Sequence, residues 1–162
     1  MATIELNLQY HGKQSEIFDD LARYKIIASG RRFGKTRGCV LWVIERMLLQ
    51  SDGLSWWVAP TYRQAKIGFR YFVRLYGKSG VIRQSNKTEL SIEIINGHVL
   101  EFRSADNPDS LRGEGIDNLI IEECGIIKDE IWDDILQPML LDNPDSHVIF
   151  IGTPKGKNWF WR

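Results

Sequence analysis

Cysteine is scarce in this chain: there are two, Cys39 and Cys124. They share no metal-type spacing, so a disulfide framework is excluded and both read as reduced, buried small side chains. The three histidines, His11, His98 and His147, are scattered and offer no ligand set. No apolar run approaches the roughly 20 residues of a membrane-spanning helix. The opening MATIELNLQYHGK has no secretory apolar stretch. The expectation is a cytoplasmic protein with no membrane partner. Repeats and low-complexity segments are missing too. With 43% hydrophobic and 26% charged residues, disorder is excluded and an ordinary packed core is expected. A length of 162 residues suits one domain over the whole chain.

There is also no net charge, but the charges are segregated. Residues 23–87 carry 14 Lys/Arg against two acids, Glu45 and Asp52. Residues 88–145 carry 15 acids against three bases, Arg103, Arg112 and Lys128. Folding can cancel such blocks across solvated faces. Otherwise the subunit is polarised, able to meet phosphate on one side or to stack head to tail with copies of itself.

Hydrophobic periodicity gives the element order. Residues 14–23 read as a helix and 24–29 (YKIIAS) as a buried strand. A helix over 35–50 follows, with Val40, Leu41, Ile44, Met47 and Leu48 at helical spacing. Residues 55–59 (SWWVA) are a second strand and 61–76 a second long helix. Segments 90–95 and 98–103 alternate around Asn96-Gly97, a strong hairpin signal. Residues 119–122 read as a short buried strand, 127–140 as a helix and 148–152 (VIFIG) as another buried strand. Strands alternating with helices predict an α/β fold. Its sheet is mainly parallel, covered by helices on both faces, with an inserted β-hairpin.

Residues 29–36 read SGRRFGKT, between a predicted strand and a predicted helix. This is a P-loop pattern with Ser29 in place of the first glycine. Phosphates need inward-facing backbone N–H groups with a helix N-terminus behind them. Ser29, Gly30, Arg31, Arg32, Phe33, Gly34, Lys35 and Thr36 are therefore the candidate nucleotide contacts. Lys35 can reach the outer phosphates and Thr36 can ligate Mg²⁺. Hydrolysis also needs a carboxylate near the attacking water. The apolar strand NLIIEE (118–123) ends in two acids, the Walker B form. Glu122 is the candidate magnesium residue, in a place more usually held by Asp, and Glu123 the candidate for orienting water. Together they predict an enzyme that binds ATP with Mg²⁺ and hydrolyses it.

Four segments in this order resemble one family, the ATPase domain of the phage large terminase subunit, a DNA-packaging motor. They are SGRRFGKT, WVAPTYRQA (57–65), SADNPDSLRGEGIDNLIIEE (104–123) and FIGTPKG (150–156). The resemblance spans residues 14 to about 161. It implies a P-loop core of the additional-strand, catalytic-glutamate type, with a strand inserted between the Walker A and Walker B strands. It implies that Arg31 senses the γ-phosphate, with Arg32 as a weaker candidate that is otherwise solvated. It also implies that Gln14 recognises adenine, against the alternative of an exposed residue starting a helix. Thr153 would couple hydrolysis to movement, or else is simply a polar strand end. Arg112 would be an arginine finger donated to the next subunit of a homo-oligomeric ring, or else pairs locally with Glu114, Asp109 or Asp117. Double-stranded DNA, a portal protein and a small terminase subunit are the implied partners, met while the motor is docked on a procapsid in the host cytoplasm. The family's nuclease domain is not expected within these residues, where no acidic cluster is left over for it.

Helix 61–76 places Arg63, Lys66, Arg70 and Arg74 on one face. A solvated face is the plain account; contact with DNA phosphates or an acidic neighbour is the functional one. A helicase or other translocase, and a nucleotide-binding assembly switch with little turnover, are the competing functions. The first would need a second motor domain, and Glu123 argues against the second.

Overall fold

The computed structural model describes residues 3–113 and 115–161. Its helices are α1 (Gln14–Phe18), α2 (Lys35–Leu49), α3 (Tyr62–Tyr76), α4 (Asp129–Ile131) and α5 (Gln137–Leu141). Its strands are β1 (Tyr24–Ala28), β2 (Leu54–Ala59), β3 (Ile82–Asn86), β4 (Ser91–Ile94), β5 (Val99–Ser104), β6 (Asn118–Ile121) and β7 (His147–Gly152). All seven strands form one sheet in the order β1-β7-β6-β2-β5-β4-β3. Pairing is parallel from β1 through β5, and antiparallel where β4 and β3 extend the sheet. In space, β7 lies between β1 and β6. This is the inserted strand expected between the two motif-bearing strands.

β2 sits at the centre and is buried almost throughout. Its neighbouring tryptophans point to opposite faces, because side chains alternate along a strand. Trp57 joins the core under α2 and α3, with Val40, Ile44, Phe69 and Phe72. Trp56 joins the core on the other face, with Leu111, Leu136 and Leu140. Helices thus cover both faces, as the alternating pattern predicts. α3 starts at Thr61, whose side chain accepts the Gln64 N–H, an N-cap satisfying one orphan donor. Its buried residues Ala65, Gly68, Phe69, Phe72 and Tyr76 recur at helical spacing.

Four sequence expectations are corrected. The first helix stops at Phe18 rather than residue 23, because the next residues serve β1 from outside. Lys25 Nζ donates to the carbonyls of Asp20 and Ala22, and Arg23 donates to those of Leu140, Asn143 and Ser146. The strand expected over 24–29 ends at Ala28 and is not buried. It is the sheet edge, with Tyr24 and Ile26 exposed and Lys25 and Ile27 inward. The inserted hairpin is real, with Gly97 at φ 83° in its turn, but it is not an appendage. β5 pairs in parallel with β2 along its whole length, and the polar edge strand β3 (IRQSN) joins β4. The helix expected over 127–140 is helical over 129–141 but contains a π-helical turn at Trp132–Leu136. Pro138 follows at once and has no N–H to donate, which loosens the regular ladder there. No helix among the described residues is long and apolar enough to cross a membrane.

Candidate active site

The phosphate loop leaves the end of β1 and turns into α2. Two positions take left-handed backbone, Arg32 at φ 68° and Gly34 at φ 81°. Gly34 is the N-cap of α2 and supplies no side-chain cap, so the N–H groups of the first turn have no intrahelical partner. Lys35 is folded over the loop, its Nζ donating to the carbonyls of Ser29 at 2.6 Å and Gly30 at 3.1 Å. The Ser29 hydroxyl is buried without a hydrogen-bond partner among the described residues. Arg31 and Arg32 are exposed.

A cavity of about 370 Å³ opens here. Its walls include Arg31, Arg32, Phe33, Gly34, Lys35 and Thr36 from the loop, and Glu123 and Thr153 from two other strands' ends. Residues far apart in sequence thus converge because β7 is the parallel neighbour of β1 and β6 the parallel neighbour of β7. Glu123 has φ 46°, a left-handed conformation that a side chain bearing a Cβ adopts at a cost. It sits in the turn after β6, and its carboxylate accepts the Thr153 N–H at 3.5 Å. The strain is tolerated where the carboxylate faces the cavity.

Glu122 is not part of that wall. Its carboxylate accepts the indole N–H of Trp57 at 2.9 Å. Burial pushes its carboxyl above the ordinary range; the Trp57 bond pulls it down, and the charge of Glu123 pushes it up. Cys39, one turn beyond Thr36 in α2, is fully buried; its thiol is held well above the usual range by burial and then by Glu122. Neither cysteine has a bonded partner.

Other candidates also lie outside the cavity wall, Ser29 and Gly30 among them. Gln14 is only 3% exposed. Its side-chain N–H groups go to the carbonyls of Phe33 at 3.0 Å and Gly34 at 3.2 Å, and its carbonyl accepts the His11 N–H. It braces the phosphate loop from behind and does not line the cavity, contrary to an exposed residue at a helix start. Arg112 follows the 3₁₀ turn Pro108–Leu111 and meets Asp109 at 3.8 Å, with both side chains mostly exposed. Glu114, another suggested partner, lies outside the described residues. The basic face of α3 borders a separate groove of about 430 Å³, lined by Lys66, Arg70, Arg74 and Lys87 over Phe69 and Val73. Arg63 is exposed but is not part of that groove.

Sequence reasoning missed Arg37, Tyr71 and Lys155 in the cavity wall. Lys155 stands inside the quoted FIGTPKG segment and could have been found there. Tyr71 carries no local signal, since an aromatic residue on a helix reads as core.

A phosphate loop on a parallel strand, with an acid-tipped strand one place away across an inserted strand, defines a P-loop nucleoside triphosphatase fold of the additional-strand type. The comparisons narrow this class. The chain belongs to the family described as terminase large subunit, T4likevirus-type, N-terminal, whose model matches residues 26–162. The large terminase subunit of Thermus phage G20c is 27% identical over 175 aligned residues, covering 96% of this chain and 36% of that protein. That of Escherichia phage T5 is 36% identical over 107 residues, covering 64% of this chain and 24% of that protein. The solved ATPase domain of the Thermus phage P74-26 large terminase superposes with a TM-score of 0.81 at 27% identity, covering 94% of this chain and 68% of that one. The chain therefore spans 36% of the length of the Thermus phage G20c relative and 24% of that of the Escherichia phage T5 one.

Proposed function

We propose that this chain binds ATP with magnesium and hydrolyses it, as the motor module of a large terminase that drives double-stranded DNA into a viral procapsid. One observation carries the reading: Glu123, in strained left-handed backbone, faces the same cavity as the phosphate loop. A carboxylate held at such cost beside a phosphate cradle is suited to orienting an attacking water.

The donor set fits a nucleoside triphosphate. The unpartnered Ser29 hydroxyl and the Lys35 ammonium resting on loop carbonyls are groups that phosphate oxygens would satisfy. The N–H groups at the start of α2 favour the same anion. Thr36 and Glu122 would hold magnesium, which neutralises charge on the phosphates during transfer. Arg31, exposed at the rim, would reach the γ-phosphate. Thr153 would couple turnover to movement, since its N–H reads the position of the Glu123 carboxylate. Arg112 would act on a neighbouring subunit of a ring. The groove beside α3 would take DNA phosphates. A portal protein, a small terminase subunit and a procapsid in the host cytoplasm complete the setting of a packaging motor.

The test is Glu123→Gln, which keeps the shape and removes the charge. Nucleotide affinity should stay near the parent's while steady-state phosphate release falls by about 10²–10⁴. Near-normal release would take Glu123 out of the reaction.

A further inference from the structure

One buried amide holds the phosphate loop. Gln14, the first residue of α1, is 3% exposed. Its Nε2 donates to the carbonyls of Phe33 at 3.0 Å and Gly34 at 3.2 Å, and its Oε1 accepts the His11 N–H at 3.1 Å. Both amide hydrogens are therefore committed, and only this orientation of the amide satisfies all three partners. Gln14 is itself anchored. Its backbone N–H bonds the His11 carbonyl at 2.8 Å, and Tyr10 stacks on Phe18 of the same helix at 5.3 Å. Phe18 fills the space over Gly38 of α2, where a Cβ would run into its ring.

These bonds dictate where the loop's N–H groups point. The peptide bonds are trans, so the C=O and N–H of one unit point in opposite directions. With the Phe33 and Gly34 carbonyls turned to Gln14, the N–H groups of Gly34 and Lys35 turn away from it. Phe33, Gly34 and Lys35 are wall residues of the cavity, and successive N–H groups turned one way make a cradle for phosphate oxygens. Gly34 suits this contact as well as its own φ of 81°: a Cβ there would stand 2.7 Å from Gln14 Nε2.

The same bonds take the amide away from base reading. A glutamine recognises adenine through two bonds at once, to N6 and N7, one accepted and one donated. Gln14 would have to release a loop carbonyl to make them. Leaving a buried polar group unpaired costs more than an ordinary hydrogen bond contributes.

We propose that Gln14 is a positioning residue for the phosphate loop: it aims the Gly34 and Lys35 N–H groups at the phosphates and is blind to the base, in place of the adenine recognition that the family resemblance implies. The proposal rests on the assignment of this cavity to a nucleoside triphosphate.

The test separates phosphate from base. Binding of ATP, GTP and inorganic tripolyphosphate, each with Mg²⁺, is measured for the parent chain, Gln14→Met, Gln14→Glu and Gly38→Ala. Methionine keeps the length of the side chain and loses its hydrogen bonds. Glutamate keeps the shape and the acceptor for His11 but turns a carboxylate on two carbonyls. Alanine at 38 leaves Gln14 chemically intact and pushes α1 off α2. Gln14→Met should weaken all three ligands by the same factor, about tenfold, with the preference between ATP and GTP unchanged. Gln14→Glu should lose more and Gly38→Ala less, again equally for the three ligands. Unfolding curves show which variants are folded; if neither Gln14 variant is, Gly38→Ala carries the decision. A loss confined to ATP makes Gln14 a reader of adenine and overturns the proposal. Parent-like affinities for all three ligands in a folded variant reduce Gln14 to a packing residue and overturn it as well. A parent chain that binds neither ATP nor tripolyphosphate removes the assignment of the cavity itself, and the proposal with it.

Discussion

His98 shows how far a residue's environment departs from its sequence. It is buried in the turn that links β4 and β5. Its Nδ1 lies 2.6 Å from the Gln50 carbonyl and so carries the proton; its Nε2 then accepts the Ser55 hydroxyl at 2.7 Å. Burial lowers its pKa, while the Gln50 carbonyl and the charge of Asp117 work the other way. The folded pKa therefore lies below the unfolded value of about 6.5. As pH falls through 6.5 the unfolded chain takes up the proton first, so stability is lost below that point and is intact above it. His147 is lowered as well, chiefly by burial, and adds to the trend. Denaturant unfolding between about pH 7.5 and 5.5 should show stability falling with pH. His98→Asn should be less stable at pH 7.5 yet show a shallower fall. An unchanged slope would mean that His98 binds its proton equally well in the folded and the unfolded chain. In the site, the sequence identified Glu123 as an acid at a strand end, but its left-handed backbone was not legible. Nothing in NLIIEE says that the turn must place that residue at positive φ.

At the scale of elements, α3 is the clearest success of periodicity. Its bounds and its basic residues are both visible in one turn-by-turn pattern. Its surroundings were not visible, because they come from a different segment. Lys87 belongs to the turn after β3 and completes the groove with Lys66, Arg70 and Arg74, while Arg63 stays outside. Among the described residues none of these four groove cations forms an ion pair. Arg74 instead rests on the Tyr71 ring, 4.7 Å from its centroid. If the groove takes phosphates, neutralising Lys66 and Arg70 together should lower the salt slope of DNA binding by up to about two, and Lys87→Ala by about one. Arg63→Ala should leave the slope nearly alone. Salt titration of binding to duplexes of unrelated sequence checks both points. Equal effects at Arg63 and Lys87 would mean that overall charge matters and the groove does not. The strand β3 escaped the sequence because IRQSN is polar and lacks alternation. It is a strand only because β4 offers it an unpaired edge.

At the scale of the whole molecule, Arg112 is the residue the fold does not use. Its partner Asp109 is 94% exposed, and such a surface pair contributes little to stability. It does not line the cavity of its own chain. A role in a neighbour's site predicts complementation. Arg112→Ala keeps Glu123, and Glu123→Gln keeps Arg112, so a mixed ring contains interfaces with both intact groups. ATPase activity should reappear from two nearly inactive parents, since such an arginine can contribute about 10³–10⁵ in rate. Phosphate release is measured under conditions where mixed assembly is shown separately. No recovery in mixed assemblies would return Arg112 to its own subunit or to a purely local pairing.

The sequence by itself determined the phosphate loop, the acid pair, the turn at Asn96-Gly97, the core stripe of α2 and the basic face of α3. Each is a local pattern. A phosphate cradle needs consecutive backbone N–H groups, a hairpin needs two adjacent turn residues, and a helix repeats its buried face every few positions. The tertiary structure decided what depends on neighbours far along the chain. It sent Glu123 to the cavity and Glu122 to Trp57, put Gln14 behind the loop, and left β1 at the sheet edge. Those outcomes follow from strand order and from which buried polar group finds a partner, and neither is encoded in any short stretch of residues.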